Sequence, residues 1–284
     1  MLKTLLKHEM RATAKTFVWL YIAFAAIVVV NALVNPMTSV FHSSNVGADM
    51  EVASSMVPNA IQGIAMMLYV LSLVAMGIVT FVIVILRFFR NLLGDEGYLM
   101  MTLPVSREQN ILSKLLIAVF WNVCTCILII LSLLLMIASA GIFSEFAKGL
   151  QEFFASDLPS SRWIALGIAT ALVATFTGVM MLYAAMGMGP NLLKNRVGGS
   201  ILSYILIYVA SQFVVVGVMW GVAAGTLGPN VITQTIILNG TNSAGIVVEI
   251  VDMILIATIV SEAAIGVGCW FLTRFMLTRK LNLA

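Results

Sequence analysis

Six apolar runs, each near the length that crosses a bilayer, divide this chain: 17–34, 61–86, 115–138, 163–188, 201–223 and 253–273. A hydrocarbon core about 30 Å thick takes roughly 20 residues of helix, and inside it every backbone N–H and C=O must be satisfied within the protein. Only helices and closed barrels meet that condition. Barrel strands are shorter and alternate in polarity, whereas these runs are continuously apolar. The second run is overlong and should tilt or protrude. Of the 284 residues 61% are hydrophobic and 10% charged, against roughly 45–50% and about 25% in soluble domains. So few charges cannot coat a water-soluble globule, which excludes a soluble enzyme, a nucleic-acid-binding domain and a disordered chain. The expected fold is an all-α membrane protein of six transmembrane helices, organised as one domain over 1–284.

Basic residues favour the cytoplasmic side of a membrane. With the N-terminus inside, every Lys and Arg except Lys148 and Arg162 falls in an inner segment. Asp49, Glu51, Glu145, Glu152, Asp157, Glu249 and Asp252 then all lie outside. Both termini are therefore expected in the cytoplasm.

Lys3, Lys7, Arg11 and Lys15 recur every four residues, with Leu2, Leu5, Leu6, Met10 and Phe17 on the other side. That pattern predicts a helix over 1–16 lying in the inner headgroup region; the plainer reading is a basic tail obeying the positive-inside rule. Between the third and fourth runs, Phe146, Leu150, Phe153 and Phe154 take helical spacing against Glu145, Lys148, Gln151 and Glu152, predicting a short helix over 144–157 at the outer interface. The segment 225–252 is too apolar for a plain loop. Short re-entrant helices would suit it, provided protein covers their backbone. Gly198-Gly199-Ser200 reads as a flexible start to the fifth helix.

No phosphate-binding loop, no H-E-x-x-H and no G-x-S-x-G is present. His8 and His42 fall on opposite sides, and Cys124, Cys126 and Cys269 all sit inside apolar runs, so neither a metal centre nor a disulfide framework is expected. No catalytic residue or bound cofactor is expected on this chain. Any work it does must draw energy from elsewhere.

The connection between the second and third runs carries the most information. Gly94 and Gly97 bracket Asp95 and Glu96, which makes a tight turn. Tyr98, Leu99, Leu103 and Pro104 follow with Thr102 among them, an apolar stretch on the water side where a bare loop would be polar. Ser106 and Gln109 form a capping box that starts the third helix. An apolar patch flanked by charge suits a protein-docking surface. The alternative is that it packs back beneath its own bundle.

Asn91–Leu99 together with Thr102–Ser106 resembles the signature of bacterial ABC-transporter permeases of the type-2 exporter class, and Leu5–Ala12 is similar to their N-terminus. The two matches cover under a tenth of the chain, and the order of the apolar runs agrees with the class. The resemblance implies a multi-pass permease in a bacterial cell membrane, working with a separate ABC ATPase and a second permease chain, identical or not. ATP and magnesium would sit on the ATPase. It places the ATPase-docking contact at Gly94, Asp95, Glu96, Gly97, Tyr98, Leu99, Thr102, Leu103 and Pro104. It also implies transport of amphipathic peptides or lipophilic compounds. A non-transporting scaffold or sensor that recruits an ATPase is the alternative, and an ion- or proton-driven carrier a third. The connection between the third and fourth runs is long for the class.

Glu262 stands mid-way along the sixth run, where an acid costs roughly 2.5–3.5 kcal/mol on insertion scales. Thr258, Glu262 and Gly266 are four apart and share a helix face, which belongs against protein or a watery cavity. Glu262 either lines a translocation path or ties helices together by hydrogen bonds, with Asn31, Asn122 and Gln212 as candidate partners. Gly217, Gly221 and Gly225 form a small-residue series on the fifth run, for either an internal contact or a seam with a second permease.

Overall fold

The computed structural model describes residues 2–34, 52–89, 107–139, 142–155, 159–193, 196–226 and 243–279. The described residues are almost entirely helical. Seven helices follow in order: α1 (Leu2–Val34), α2 (Val52–Phe88), α3 (Arg107–Ser139), α4 (Phe143–Ala155), α5 (Ser160–Leu192), α6 (Arg196–Thr226) and α7 (Ser243–Arg279). All but α4 are long and apolar enough to cross a membrane, with candidate spans Leu5–Val34, Ala60–Phe88, Ile111–Ser139, Ser160–Gly189, Val197–Val222 and Ile250–Met276. Each long helix outlasts its apolar run. The 37 residues of α2 rise about 55 Å at 1.5 Å each, well beyond a hydrocarbon core.

Burial runs opposite to that of a soluble protein. Leu33 is 80% exposed, Trp220 75% and Phe213 74%, whereas Glu9, Lys114 and Asp252 are buried. Apolar side chains facing outward along six long helices match lipid as the surrounding solvent. The chain is an all-helical, multi-pass membrane protein.

The chain forms two compact units, one of 1–87 with 109–153 and one of 88–108 with 154–284. In the first, aromatic and aliphatic side chains hold α1, α2 and α3 together. Phe24, Val28, Tyr69, Met76 and Met136 make one buried cluster, and Phe17, Ile117 and Trp121 another. The rings of Phe17 and Trp121 stack with centroids 4.5 Å apart. Since lipid removes the hydrophobic drive between helices, packing and interhelical hydrogen bonds must supply cohesion. The bonds are present as rungs. Trp121 Nε1 donates to Thr13 Oγ1 at 2.9 Å, the Tyr21 and Thr125 hydroxyls pair at 3.0 Å, and those of Tyr69 and Ser132 at 3.0 Å.

In the second unit, α5, α6 and α7 approach more closely. A Cβ on Gly199 would come within 2.1 Å of the Gly189 carbonyl oxygen, so the end of α5 and the start of α6 touch backbone to backbone. The glycine-rich start of α6 therefore serves contact rather than flexibility. Along α7, a Cβ on Gly266 would meet Thr177 Oγ1 at 2.8 Å and Phe176 Cε1 at 3.0 Å. Thr177 Oγ1 donates to the Glu262 carbonyl at 2.8 Å, fixing the register of α5 on α7. Asp252 closes the other end: its carboxylate takes Arg162 at 3.0 Å and Trp163 Nε1 at 3.0 Å.

The short helix expected after the third run is present as α4, with no buried residue. Residues 243–252, expected as part of a re-entrant segment, form the opening turns of α7; 227–242 lie outside the described residues.

Candidate functional site

Three charged side chains from three helices meet within the first unit. Glu9 lies two turns into α1, Arg87 in the last turn of α2 and Lys114 two turns into α3. Lys114 Nζ donates to Glu9 Oε1 at 2.8 Å. Arg87 Nε donates to Glu9 Oε2 at 2.8 Å, and Arg87 Nη2 bonds both that oxygen and the Glu9 backbone carbonyl, the latter at 2.9 Å. Both carboxylate oxygens are thus occupied by cations. The Glu9 and Lys114 side chains are only 7% and 2% exposed, and Arg87 21%.

Burying charge is costly unless pairing and hydrogen bonding are nearly complete. Here one acid faces two bases, and the guanidinium, bonding one carboxylate oxygen through two nitrogens, adds direction to the charge. Thr13, one turn beyond Glu9, bonds back to the Glu9 carbonyl at 3.0 Å and receives the Trp121 indole N–H. The cluster is therefore buttressed by the same α1–α3 packing that builds the unit.

Its place in the chain gives it meaning. Arg87 and Lys114 are the two stems of the connection between α2 and α3, and one carboxylate on α1 holds both. The connection itself, with Gly94, Asp95, Glu96, Gly97, Tyr98, Leu99, Thr102, Leu103 and Pro104, lies outside the described residues. So does Ser106 of the capping box; α3 begins at the next residue, Arg107.

Lys7, Arg11 and Lys15 are exposed on α1, as their spacing predicts, and Lys3 lies in its first turn. However, α1 runs unbroken from Leu2 to Val34, so the basic segment and the first span are one helix. Neither Pro nor Gly interrupts this stretch, which lets the backbone hydrogen bonds continue across the change in polarity.

In the second unit, Glu262 is half-buried, and its carboxyl has no hydrogen-bond or ion-pair partner among the described residues. The Asn31 and Asn122 amide nitrogens donate to their own helices, at Ile27 and Ala118, and Gln212 is exposed. Thr258 donates to Ile254 O at 2.8 Å. Of that shared face, Gly266 alone makes the close helix contact. Gly217 and Gly221 have open space where a Cβ would stand, so of the two contacts weighed for this series, internal or with a second chain, the internal one is not made by these two among the described residues. No group of three His, Cys, Asp or Glu is placed to hold a metal ion among the described residues.

Reading the sequence for sidedness placed Arg87 and Lys114 among the inner charges and did not pair them with Glu9. The available signal was a lone acid within the basic stripe of 3–15, with a base at the inner end of each of the next two runs. No protein-family model, curated protein or solved structure matches the chain.

Proposed function

We propose that the chain is the membrane permease subunit of an ATP-driven exporter of the ABC type-2 class, moving amphipathic peptides or lipophilic compounds. The carrying observation is the Glu9 cluster. It ties the N-terminal helix to both stems of the segment whose sequence resembles an ATPase-docking element. On this reading the docking segment is Gly94–Pro104, on the cytoplasmic side of a bacterial cell membrane, and ATP and magnesium belong to two separate ATPase chains beneath a pair of permeases. A push on the segment reaches α2 and α3 directly and α1 through Glu9, so three helices move as one body. The absence of a phosphate-binding loop from the sequence fits an engine supplied from outside.

The test is to replace Asp95 and Glu96 with Lys in the full chain, co-expressed with candidate ABC ATPases from its own genome. Pull-down of the ATPase should be lost while the thermal unfolding of the permease is unchanged. Retained binding with full stimulation of ATP hydrolysis would overturn the docking role. If the ATPase binds and yet no amphiphile stimulates hydrolysis in liposomes, the chain is a scaffold or sensor instead.

A further inference from the structure

We infer that Glu262 is the binding point for a cationic group, an ammonium or guanidinium, carried by an amphipathic substrate. This rests on the transport reading and names the chemistry that reading leaves open.

Three acids lie within the six candidate spans: Glu9, Asp252 and Glu262. The first two are each matched to a cation, Glu9 to Arg87 and Lys114 and Asp252 to Arg162. Glu262 alone has none among the described residues. The apolar runs do not provide one. None of the six apolar runs contains a basic residue, and Glu262 is the only acid in them. On α7 the nearest base is Arg274, twelve residues on, which is about 18 Å along the axis. On α5, Thr177 marks the level of Glu262 through its 2.8 Å bond. Arg162, the base on α5, lies fifteen residues before it, about 22 Å away along the axis. A second copy of the same chain has the same apolar runs and supplies no base either.

An ionisable residue at this depth is costly and marks a ligand or ion pathway. The position is also held firmly. Thr177 grips the backbone carbonyl of Glu262 rather than its carboxyl, and Gly266 seats α7 on α5 one turn further on. The carboxyl is thereby left half-buried on a fixed backbone, without a bond of its own among the described residues. A partner reaching it must bring its charge on an apolar body. A cationic amphiphile has that chemistry.

The test uses the full chain in nanodiscs of zwitterionic lipid, without ATPase. The probes are a fluorescent amphipathic peptide with one lysine and its twin with that lysine acetylated. Wild type should bind the lysine peptide roughly tenfold more tightly, equivalent to about 1.4 kcal/mol. Glu262→Gln should erase the preference and Glu262→Asp keep most of it. Neither substitution touches the Thr177 contact, so unchanged thermal unfolding is expected of both. Equal binding of the two peptides by wild type, or a preference that survives Glu262→Gln, overturns the inference and assigns the site to a proton or to packing. Because the ATPase is absent, a failed ATPase pull-down leaves this result unaffected. The transport reading is judged separately, by the Asp95 and Glu96 variants.

Discussion

Lys114 on α3 and Glu9 on α1, 105 residues apart in sequence, are joined at 2.8 Å with both side chains nearly sealed from solvent. Arg87 joins the same carboxylate from α2. One acid thus locks three helices, from the last turn of α2 to the second turn of α3. Removing the acid is the severe change, since it leaves two cations facing each other.

Glu9→Gln should accordingly destabilise the protein by about 3–5 kcal/mol, the usual result of breaking a buried pair from one side. Lys114→Met should cost less, because Arg87 remains on Glu9. The double variant should recover part of the loss, with a coupling of about 1–3 kcal/mol. Thermal or denaturant unfolding in one detergent checks all three. Additive losses would mean that the pair contributes no energy of its own.

Gly199→Ala should be among the most damaging single-methyl additions, costing about 1–3 kcal/mol through overpacking. The obstacle is backbone, at Gly189, and cannot rotate away. Gly217→Ala and Gly221→Ala meet nothing within 4 Å and should be neutral or gain up to about 1 kcal/mol from helix propensity. Parallel melting curves of the three variants decide this. If Gly217→Ala alone weakens self-association, those glycines form a seam between chains.

Asp252 has two partners of unequal weight. Arg162 is 57% exposed, so Arg162→Ala should change stability by less than about 1 kcal/mol. Asp252→Ala also leaves the Trp163 indole N–H unpaired, and should cost about 1–3 kcal/mol. Unfolding measurements on the two variants separate the two.

Lys7, Arg11 and Lys15 face outward on α1, and each near an anionic surface contributes about 1 kcal/mol. Replacing all three by Gln should sharply reduce retention of anionic lipid, read by mass spectrometry of the purified protein, without altering the Glu9 cluster. Unchanged lipid retention would place that stripe away from the headgroups.

The six spans were legible because lipid imposes one strong rule, and long apolar runs have no other use. The short helix α4 was legible too, since its phenylalanines alternate with charges at helical spacing. Helix ends were less so: hydropathy stops where Lys15 and Arg87 begin, but backbone hydrogen bonds continue through them. Pairing across helices was the least visible. Gly217 and Gly221 have the familiar four-residue spacing and pack on nothing described. Gly189 and Gly199 lie ten apart across a turn, match no motif, and touch. In the same way Glu9 found its partners through depth in the bundle, which spacing along one helix does not encode. The proposed docking segment was read from resemblance alone and lies outside the described residues; Arg87 and Lys114 of the two helices that flank it are the part tied to Glu9.

The concealment of Lys114 also makes it a reporter. An amine-acylating reagent should label Lys7 and Lys15 readily and pass over Lys114, whose nitrogen is spoken for. Labelling at Lys114 would report that the three-helix clasp has come undone, in the native chain and with no engineered probe.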